Sequence, residues 1–297
     1  MIRVALILIL LFPGVLNAQF FARHPNGTAT GQGSFVRDVS RNVPQMGLSD
    51  LTLAPDGRLF TISDTSRIFE LDDLGTIIRT ISYVGSIVPY SITGSDCEAI
   101  AWVNGDALSD TFAILHENSR VVFFVDIPLV GDYTIDLAAV SALIQIPGVG
   151  APYESLRRDP FDPTRLISCR TGPVKSTTLA PYEVDLYHDG ESPQFSVTDS
   201  VFVKSTASYY QTIRSTFHPP ELVNSLAVHR LGNGSIRLLE RAANGNHVSF
   251  QQIETLGTYV EGIAAKRTPA DDGWMIFVCI DVNSATANNF FRYVRMD

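Results

Sequence analysis

The sequence predicts an all-β fold: a β-propeller of five blades, with six as the alternative, closed by an N-terminal strand. Three observations predict it. First, a short phrase recurs as Leu48-Ser49-Asp50-Leu51, Cys97-Glu98-Ala99-Ile100, Tyr153-Glu154-Ser155-Leu156, Val223-Asn224-Ser225-Leu226 and Val260-Glu261-Gly262-Ile263. Each copy sets a polar side chain before a small or polar position, followed by an aliphatic residue. Spacings that average about fifty residues are those of propeller blades. Second, each copy is followed by a turn and a second strand-like run. Third, the last repeat has residues for only three strands before the chain ends at Asp297, so its sheet needs one more strand from elsewhere.

The elements follow in chain order. Arg3, the apolar run Val4 to Phe12, the break at Pro13-Gly14 and the small residues before Gln19 read as a secretory signal peptide over 1–18. An uncleaved anchor is the alternative, although the run is short for a bilayer span. Residues 19–33 read as a loose N-terminal arm, and 34–297 as one propeller domain. In the first blade, Leu51 to Leu53, a hairpin turn at Pro55-Asp56-Gly57, Arg58 to Ser63, Arg67 to Leu71 and Ile77 to Ser82 make four strands. The second blade repeats this with Ala99 to Val103, Thr111 to Leu115, Arg120 to Asp126 and an outer segment from Tyr133. Asp64-Thr65-Ser66-Arg67 and Glu117-Asn118-Ser119-Arg120 occupy the same place in the two blades.

The third blade opens at Tyr153, turns at Asp159 to Pro163, and continues through Arg165 to Cys169, Tyr182 to Leu186 and an outer run within Gln194 to Val203. Ser205 to Glu221 reads as a long connection. The fourth blade is expected to open at Val223 and to lack a full outer strand, because the next begins at Val260. The fifth holds Val260 onward, Trp274 to Ile280 and Phe290 to Arg295, with Ser34 to Val43 completing its sheet. Closure of that kind removes free sheet edges.

A formal charge of −9 argues against a nucleic-acid backbone as partner. No stretch after the leader is apolar enough to span a membrane. The reading is therefore a secreted protein, extracellular or periplasmic, and a monomer. Cys97, Cys169 and Cys279 are an odd count that permits at most one intramolecular bridge, and their apolar contexts suit buried thiols. Asn26-Gly27-Thr28 and Asn233-Gly234-Ser235 are glycosylation sequons if the source is eukaryotic.

The phrases, in this order and over Val43 to Val294, resemble the SdiA-regulated family of secreted bacterial β-propellers. The resemblance rests on Leu48-Ser49-Asp50-Leu51 with Ser63-Asp64 and Glu70-Leu71, on Cys97-Glu98-Ala99-Ile100 with His116-Glu117, and on the Tyr153 and Val260 phrases. Two positions depart from the pattern: Asn224 in the fourth phrase, and Cys169-Arg170-Thr171 where a Lys-Glu pair is expected. The resemblance implies a five-bladed propeller with a calcium ion and no established activity. More distantly, Glu261-Gly262-Ile263 is similar to the phrases of NHL-repeat proteins and calcium-dependent lactonases, in which such positions hold the metal.

The residues carry their own chemical argument. If the first strand of each blade lines one channel, Glu98, Glu154 and Glu261 converge there with Asn224 and Ser49. Like charges so placed raise each other's pKa unless a cation compensates. Calcium takes six to eight oxygens in flexible geometry, while zinc would want His or Cys. The expected metal set is therefore Glu98, Glu154, Glu261, Asn224 and Ser49, with calcium as the cofactor. The competing reading is that these side chains cap strand ends between blades. Asp64, Glu117, Glu240 and Asp281 read as rim charges or outer-shell groups, and His116, His218 and His229 as structural. No Gly-x-Ser-x-Gly elbow, P-loop or His-Glu-x-x-His helix is present. The leading function is a calcium-binding module for a small molecule, glycan or protein at the rim. The alternative is a calcium-dependent hydrolase of a lactone, carboxylic ester or phosphoester, working through metal-bound water.

Overall fold

The structure is a computed structural model that describes residues 36–44, 47–65, 67–146, 153–158, 165–170, 182–188, 193–199, 212–217, 224–230, 235–242, 247–255, 259–270, 273–282 and 286–296. The leader, the arm, both sequon asparagines and His218 lie outside them. The described chain is all-β, apart from one 3-10 turn at Leu137–Ala139. Its strands are β1 (Val36–Arg41), then β2 (Leu48–Leu53), β3 (Leu59–Ser63), β4 (Arg67–Leu71) and β5 (Ile77–Val84). Next come β6 (Cys97–Gly105), β7 (Ser109–His116), β8 (Val121–Pro128), β9 (Tyr133–Asp136) and β10 (Leu143–Gln145). The third group is β11 (Tyr153–Arg158), β12 (Arg165–Arg170), β13 (Tyr182–His188) and β14 (Pro193–Asp199). The fourth is β15 (Thr212–Phe217), β16 (Asn224–Arg230), β17 (Ser235–Ala242) and β18 (His247–Thr255), and the last is β19 (Tyr259–Arg267), β20 (Gly273–Asp281) and β21 (Phe290–Met296).

These strands form five sheets with the orders β2-β3-β4-β5-β9, β6-β7-β8-β10, β11-β12-β13-β14, β15-β16-β17-β18 and β19-β20-β21-β1. The first strands of successive sheets, β2, β6, β11, β15 and β19, lie beside one another. Successive up-and-down sheets with their first strands gathered together are the architecture of a β-propeller. The expected N-terminal strand is present: β1 pairs antiparallel with β21, from Val36 opposite Val294 to Arg41 opposite Phe290.

Two sheets differ from the sequence expectation. The segment at Tyr133 does not finish the second sheet; β9 pairs in parallel with β5 of the first, and β10 takes the outer place beside β8. Pro128 ends β8, and the chain crosses to its neighbour, where Asp132 Oδ1 accepts from Thr80 N at 2.8 Å. In the fourth sheet the first strand is β15, inside the segment expected to be a connection, and that sheet has its full four strands. The Val223 phrase therefore starts the second strand, and Asn224 opens β16 opposite Ala242 of β17.

Apolar layers fill the spaces between consecutive sheets. Phe60, Ile62, Ile68 and Ile81 meet Ile100, Phe112, Ile114 and Phe123, with the Phe60 and Phe112 ring centroids 4.7 Å apart. Ala113, Leu115 and Val122 meet Leu156 and Leu166 of the third sheet, and Leu48, Leu59 and Phe69 meet Phe277 and Phe290 of the last. The predicted hairpin turn forms at Pro55-Asp56-Gly57, where Gly57 N donates to Ala54 O at 2.9 Å and Gly57 takes φ +88°, a region that glycine enters without steric cost.

In four of its five copies the recurring phrase has a structural meaning: it marks a β-bulge at the start of the first strand. The register slips at Ser49 between Leu48 and Asp50, at Glu98 between Cys97 and Ala99, at Glu154 between Tyr153 and Ser155, and at Glu261 between Val260 and Gly262. An extra residue re-aims the local chain, which is why bulges recur at sites. The small residue after the bulge is needed where first strands approach. A Cβ at Gly262 would lie 2.6 Å from Leu51 N and 2.7 Å from Asp50 Cα. Gly262→Ala is expected to lower stability by about 1–3 kcal/mol through overpacking against this backbone. Urea unfolding measures it, and a midpoint equal to wild type would contradict the close approach.

Candidate metal centre

The cluster is assembled by the two turns that flank β6 and β7. Asp96, just before β6, takes a positive φ of 62°, a conformation that Asp and Asn tolerate better than most residues. Its backbone is held on both sides: Asp96 N donates to Asp64 O at 3.3 Å, and Glu117 N donates to Asp96 O at 3.1 Å. The turn after β7 is closed by Arg120 N donating to Glu117 O at 3.1 Å. His116 stabilises this turn, since its Nδ1 accepts from Ser119 N at 3.2 Å and lies 2.9 Å from Ser119 Oγ. Burial holds the His116 imidazole below its ordinary pKa, and Asp96 works against that shift.

The result is a set of three half-buried carboxylates, Asp96, Glu98 and Glu117, each offering one oxygen within 4.8 Å of the others. The Asn118 side-chain amide donates to Asp96 Oδ2. Below them lies Cys97, fully buried, with its thiol pushed well above the ordinary value by burial and further by Asp96, Glu98 and Asp64. Such a thiol is a poor nucleophile and a poor metal ligand. The donor set is thus hard carboxylate oxygen, three atoms within 4.8 Å of one another, the ligand type that calcium takes. That fits calcium rather than zinc.

The remaining residues of the expected set fall as follows. Ser49 is 2% exposed, and its Oγ donates to Asp64 Oδ1, so its hydroxyl supports the Asp64 turn. Glu261 is 4% exposed and, with Asp50, raises the pKa of the buried Cys279 thiol after burial itself. Glu154 shares the bulge position on β11, whereas Asn224 stands on a second strand. The structure brings Glu98 together with Glu117, a residue read from sequence as a rim charge, and with Asp96, which sequence reasoning did not single out. Its signal was present in Ser95-Asp96-Cys97-Glu98, where a second acid stands two residues before the motif glutamate.

Asp50 fills a different role. It is fully buried and bridges two sheets, with Oδ1 accepting from Leu51 N at 2.8 Å and Oδ2 from Ile100 N of β6 at 3.2 Å. This bond from a side chain to a backbone N–H of the next sheet is made by Asp50, one residue along from the position for which strand-end capping was considered.

The fold and site together define a β-propeller with an acidic cluster where its second sheet begins. No family model matches the chain, and no curated protein does. Among solved structures, it is similar to the β-propeller domain of Cps50 (Swd1) from Myceliophteria thermophila at 12% identity and TM-score 0.39, over 85% of this chain and 71% of that one. It is also similar to the tail fiber of Staphylococcus aureus phage P68, at 10% identity and TM-score 0.49, over 89% of this chain but only 52% of that one. The periplasmic gluconolactonase PpgL of Pseudomonas aeruginosa matches at 13% identity and TM-score 0.42, over 78% of this chain and 65% of that one. Likenesses this distant carry no functional argument, and the fold assignment rests on the chain's own sheet topology. Among the described residues, no helix is long and apolar enough to cross a membrane.

Proposed function

We propose that this chain is a secreted, five-bladed propeller, closed by β1, that binds calcium at Asp96, Glu98 and Glu117 and engages a ligand or partner through the neighbouring rim. The observation that carries the reading is the convergence of those carboxylate oxygens within 4.8 Å at the foot of β6. Glu154 and Glu261 stand at the corresponding bulge positions of their own first strands. The resemblance of the motif phrases to SdiA-regulated propellers supports the same combination of fold and ion. Calcium, when bound, would offset most of this charge and tie the turn before β6 to the turn after β7.

Calcium that binds only the folded form stabilises it by mass action, about 2.7 kcal/mol at a hundredfold excess over Kd. For a domain of this size that corresponds to a rise in Tm of about 5–10 °C over the chelated protein. Glu98→Gln is expected to remove most of that rise while leaving the chelated protein as stable as wild type or more so, because one of three like charges is gone. Identical melts with calcium and with chelator would end the metal reading. The same variant separates the two functional classes. Calcium-dependent turnover of a lactone, aryl ester or phosphoester that Glu98→Gln abolishes in folded protein would replace the binding module by a hydrolase.

A further inference from the structure

The acid cluster lies where β6 begins, and a different surface is built where that strand ends. Strands β6 and β7 are joined by a turn in which Asp106 Oδ1 accepts from Leu108 N at 2.7 Å and from Ser109 N at 2.9 Å. Those two N–H groups hold the Asp106 carboxyl below its ordinary pKa, so it stays ionised near neutral pH. The turn is fixed to the crossing between β8 and β9, because Leu129 N donates to Leu108 O at 3.0 Å. The crossing is itself held by the first sheet. Arg79 Nη1 donates to Pro128 O and, at 3.2 Å, to Gly131 O, and Asp132 Oδ1 accepts from Thr80 N at 2.8 Å. Leu108 and Val130 stand on these two neighbouring segments with 79% and 81% of their surface exposed, and Tyr133 is exposed next to Asp132. Their backbones are fixed while their side chains meet water. Apolar groups presented together with a polar surround mark an interaction surface, and a frame already ordered loses little freedom on association.

The surrounding charge says what these side chains meet. Asp106, Asp126 and Asp132 are exposed, and Arg120 is the only lysine or arginine from Ala99 to Asp136. Arg120 belongs to the turn after β7, at the acid-cluster end. The arginines that the first sheet brings to the far end, Arg58 and Arg79, are already paired with Asp110 and Glu70. We propose that Leu108 and Val130, with the aspartates around them, form a docking surface for a basic polypeptide segment that carries aliphatic side chains between lysines or arginines. A second copy of the chain fits less well, because a two-fold contact would set these aspartates against their own counterparts. An anionic lipid surface is repelled by the same charge. The surface does not depend on calcium, since it is built at the opposite end of β6 from the acid cluster.

The test measures binding of the full chain to a labelled peptide of alternating lysine and leucine, by fluorescence anisotropy at low ionic strength. A lysine–serine peptide of equal length and charge should bind at least about tenfold more weakly, the factor that burying one aliphatic side chain supplies. Leu108→Ser combined with Val130→Ser should weaken the lysine–leucine peptide about tenfold or more, with the urea midpoint unchanged. Asp106→Asn combined with Asp132→Asn keeps the acceptor oxygens of both segments, and should weaken binding about threefold and flatten its dependence on salt. Val88→Ser, at an equally exposed aliphatic position in the loop before β6, should leave binding unchanged. No binding of the lysine–leucine peptide by the wild type would end the proposal. Equal losses in Val88→Ser and in the Leu108, Val130 variant, or equal binding of the lysine–serine peptide, would overturn it in favour of general attraction to an acidic protein. Sedimentation velocity of the chain alone checks for a dimer, and one abolished by the Leu108, Val130 variant would assign the surface to a second copy instead. Binding to phosphatidylcholine vesicles that the same variant loses would assign it to a membrane.

Discussion

Replacing Glu70 by alanine is expected to destabilise the folded chain by about 3–5 kcal/mol, because it strands a buried guanidinium. Glu70 and Arg79 stand opposite each other on β4 and β5, with side chains 6% and 5% exposed, and Arg79 Nε donates to Glu70 Oε2 at 2.6 Å. The same guanidinium donates to Pro128 O and, at 3.2 Å, to Gly131 O, and lies 5.8 Å from the centre of the Phe60 ring. It therefore fastens the end of the second sheet's β8 to the first sheet. With Glu70 gone, those bonds hold a charge that no carboxylate balances. Glu70→Gln, which keeps an acceptor, should lose less. The ion pair between Arg292 and Asp38 provides the contrast, since Asp38 is 37% exposed and its removal should change stability by only about 0–1 kcal/mol. Urea unfolding of the three variants, with m unchanged, measures the difference. A Glu70→Ala loss no greater than that of Asp38→Ala would show that the pair is solvated in solution.

The second large effect is expected at Asp50. Alanine there leaves the buried Leu51 and Ile100 amides without their acceptor, at about 1–3 kcal/mol for each orphaned group, or about 2–6 kcal/mol together. Asp50→Asn retains one acceptor oxygen but turns an amide N–H₂ toward the other donor, so its loss should be intermediate. Because Ile100 belongs to the second sheet, the damage should concentrate at the junction between sheets. Amide hydrogen exchange resolves this: in Asp50→Ala the Ile100 amide should exchange faster than wild type by a larger factor than the amides in the middle of β8. Uniform acceleration across both sheets would mean that Asp50 supports global stability without the specific bridge.

Much of the fold was legible because its signals are local. Short, mostly apolar runs in Arg58 to Ser63, Arg67 to Leu71, Thr111 to Leu115 and Trp274 to Ile280 stand where β3, β4, β7 and β20 form. Turn chemistry at Pro55-Asp56-Gly57 marked the hairpin that Gly57 closes. The incomplete last sheet called for an N-terminal strand, and β1 supplies it. In the site, the recurring polar residue before a small one stood out in the sequence as a phrase, and the structure shows that on four of five first strands it stands at a bulge.

The strand assignment of Asn224 shows where such patterns fail. A polar residue, a small residue and an aliphatic one satisfy the phrase on β16 as well as on a first strand, while β15, with Arg214 and Ser215 in the bulge, does not resemble the acidic copies. Likewise, the alternation of Tyr133 to Asp136 identified a strand but not its partner. Its pairing with β5 depends on a free edge in the preceding sheet and on Asp132 meeting Thr80, contacts made across roughly fifty residues of chain. Asp96 and Glu117 are separated by two strands, and only the antiparallel pairing of Cys97 with His116 brings their carboxylates beside Glu98. The sequence by itself determined most of the strand segments and their turns, and the phrase that opens four of the five first strands, since these follow from interactions within a few residues. Only the tertiary structure decided which edge each strand joins and which acids share a site, because those choices rest on burial and pairing between segments distant in the chain.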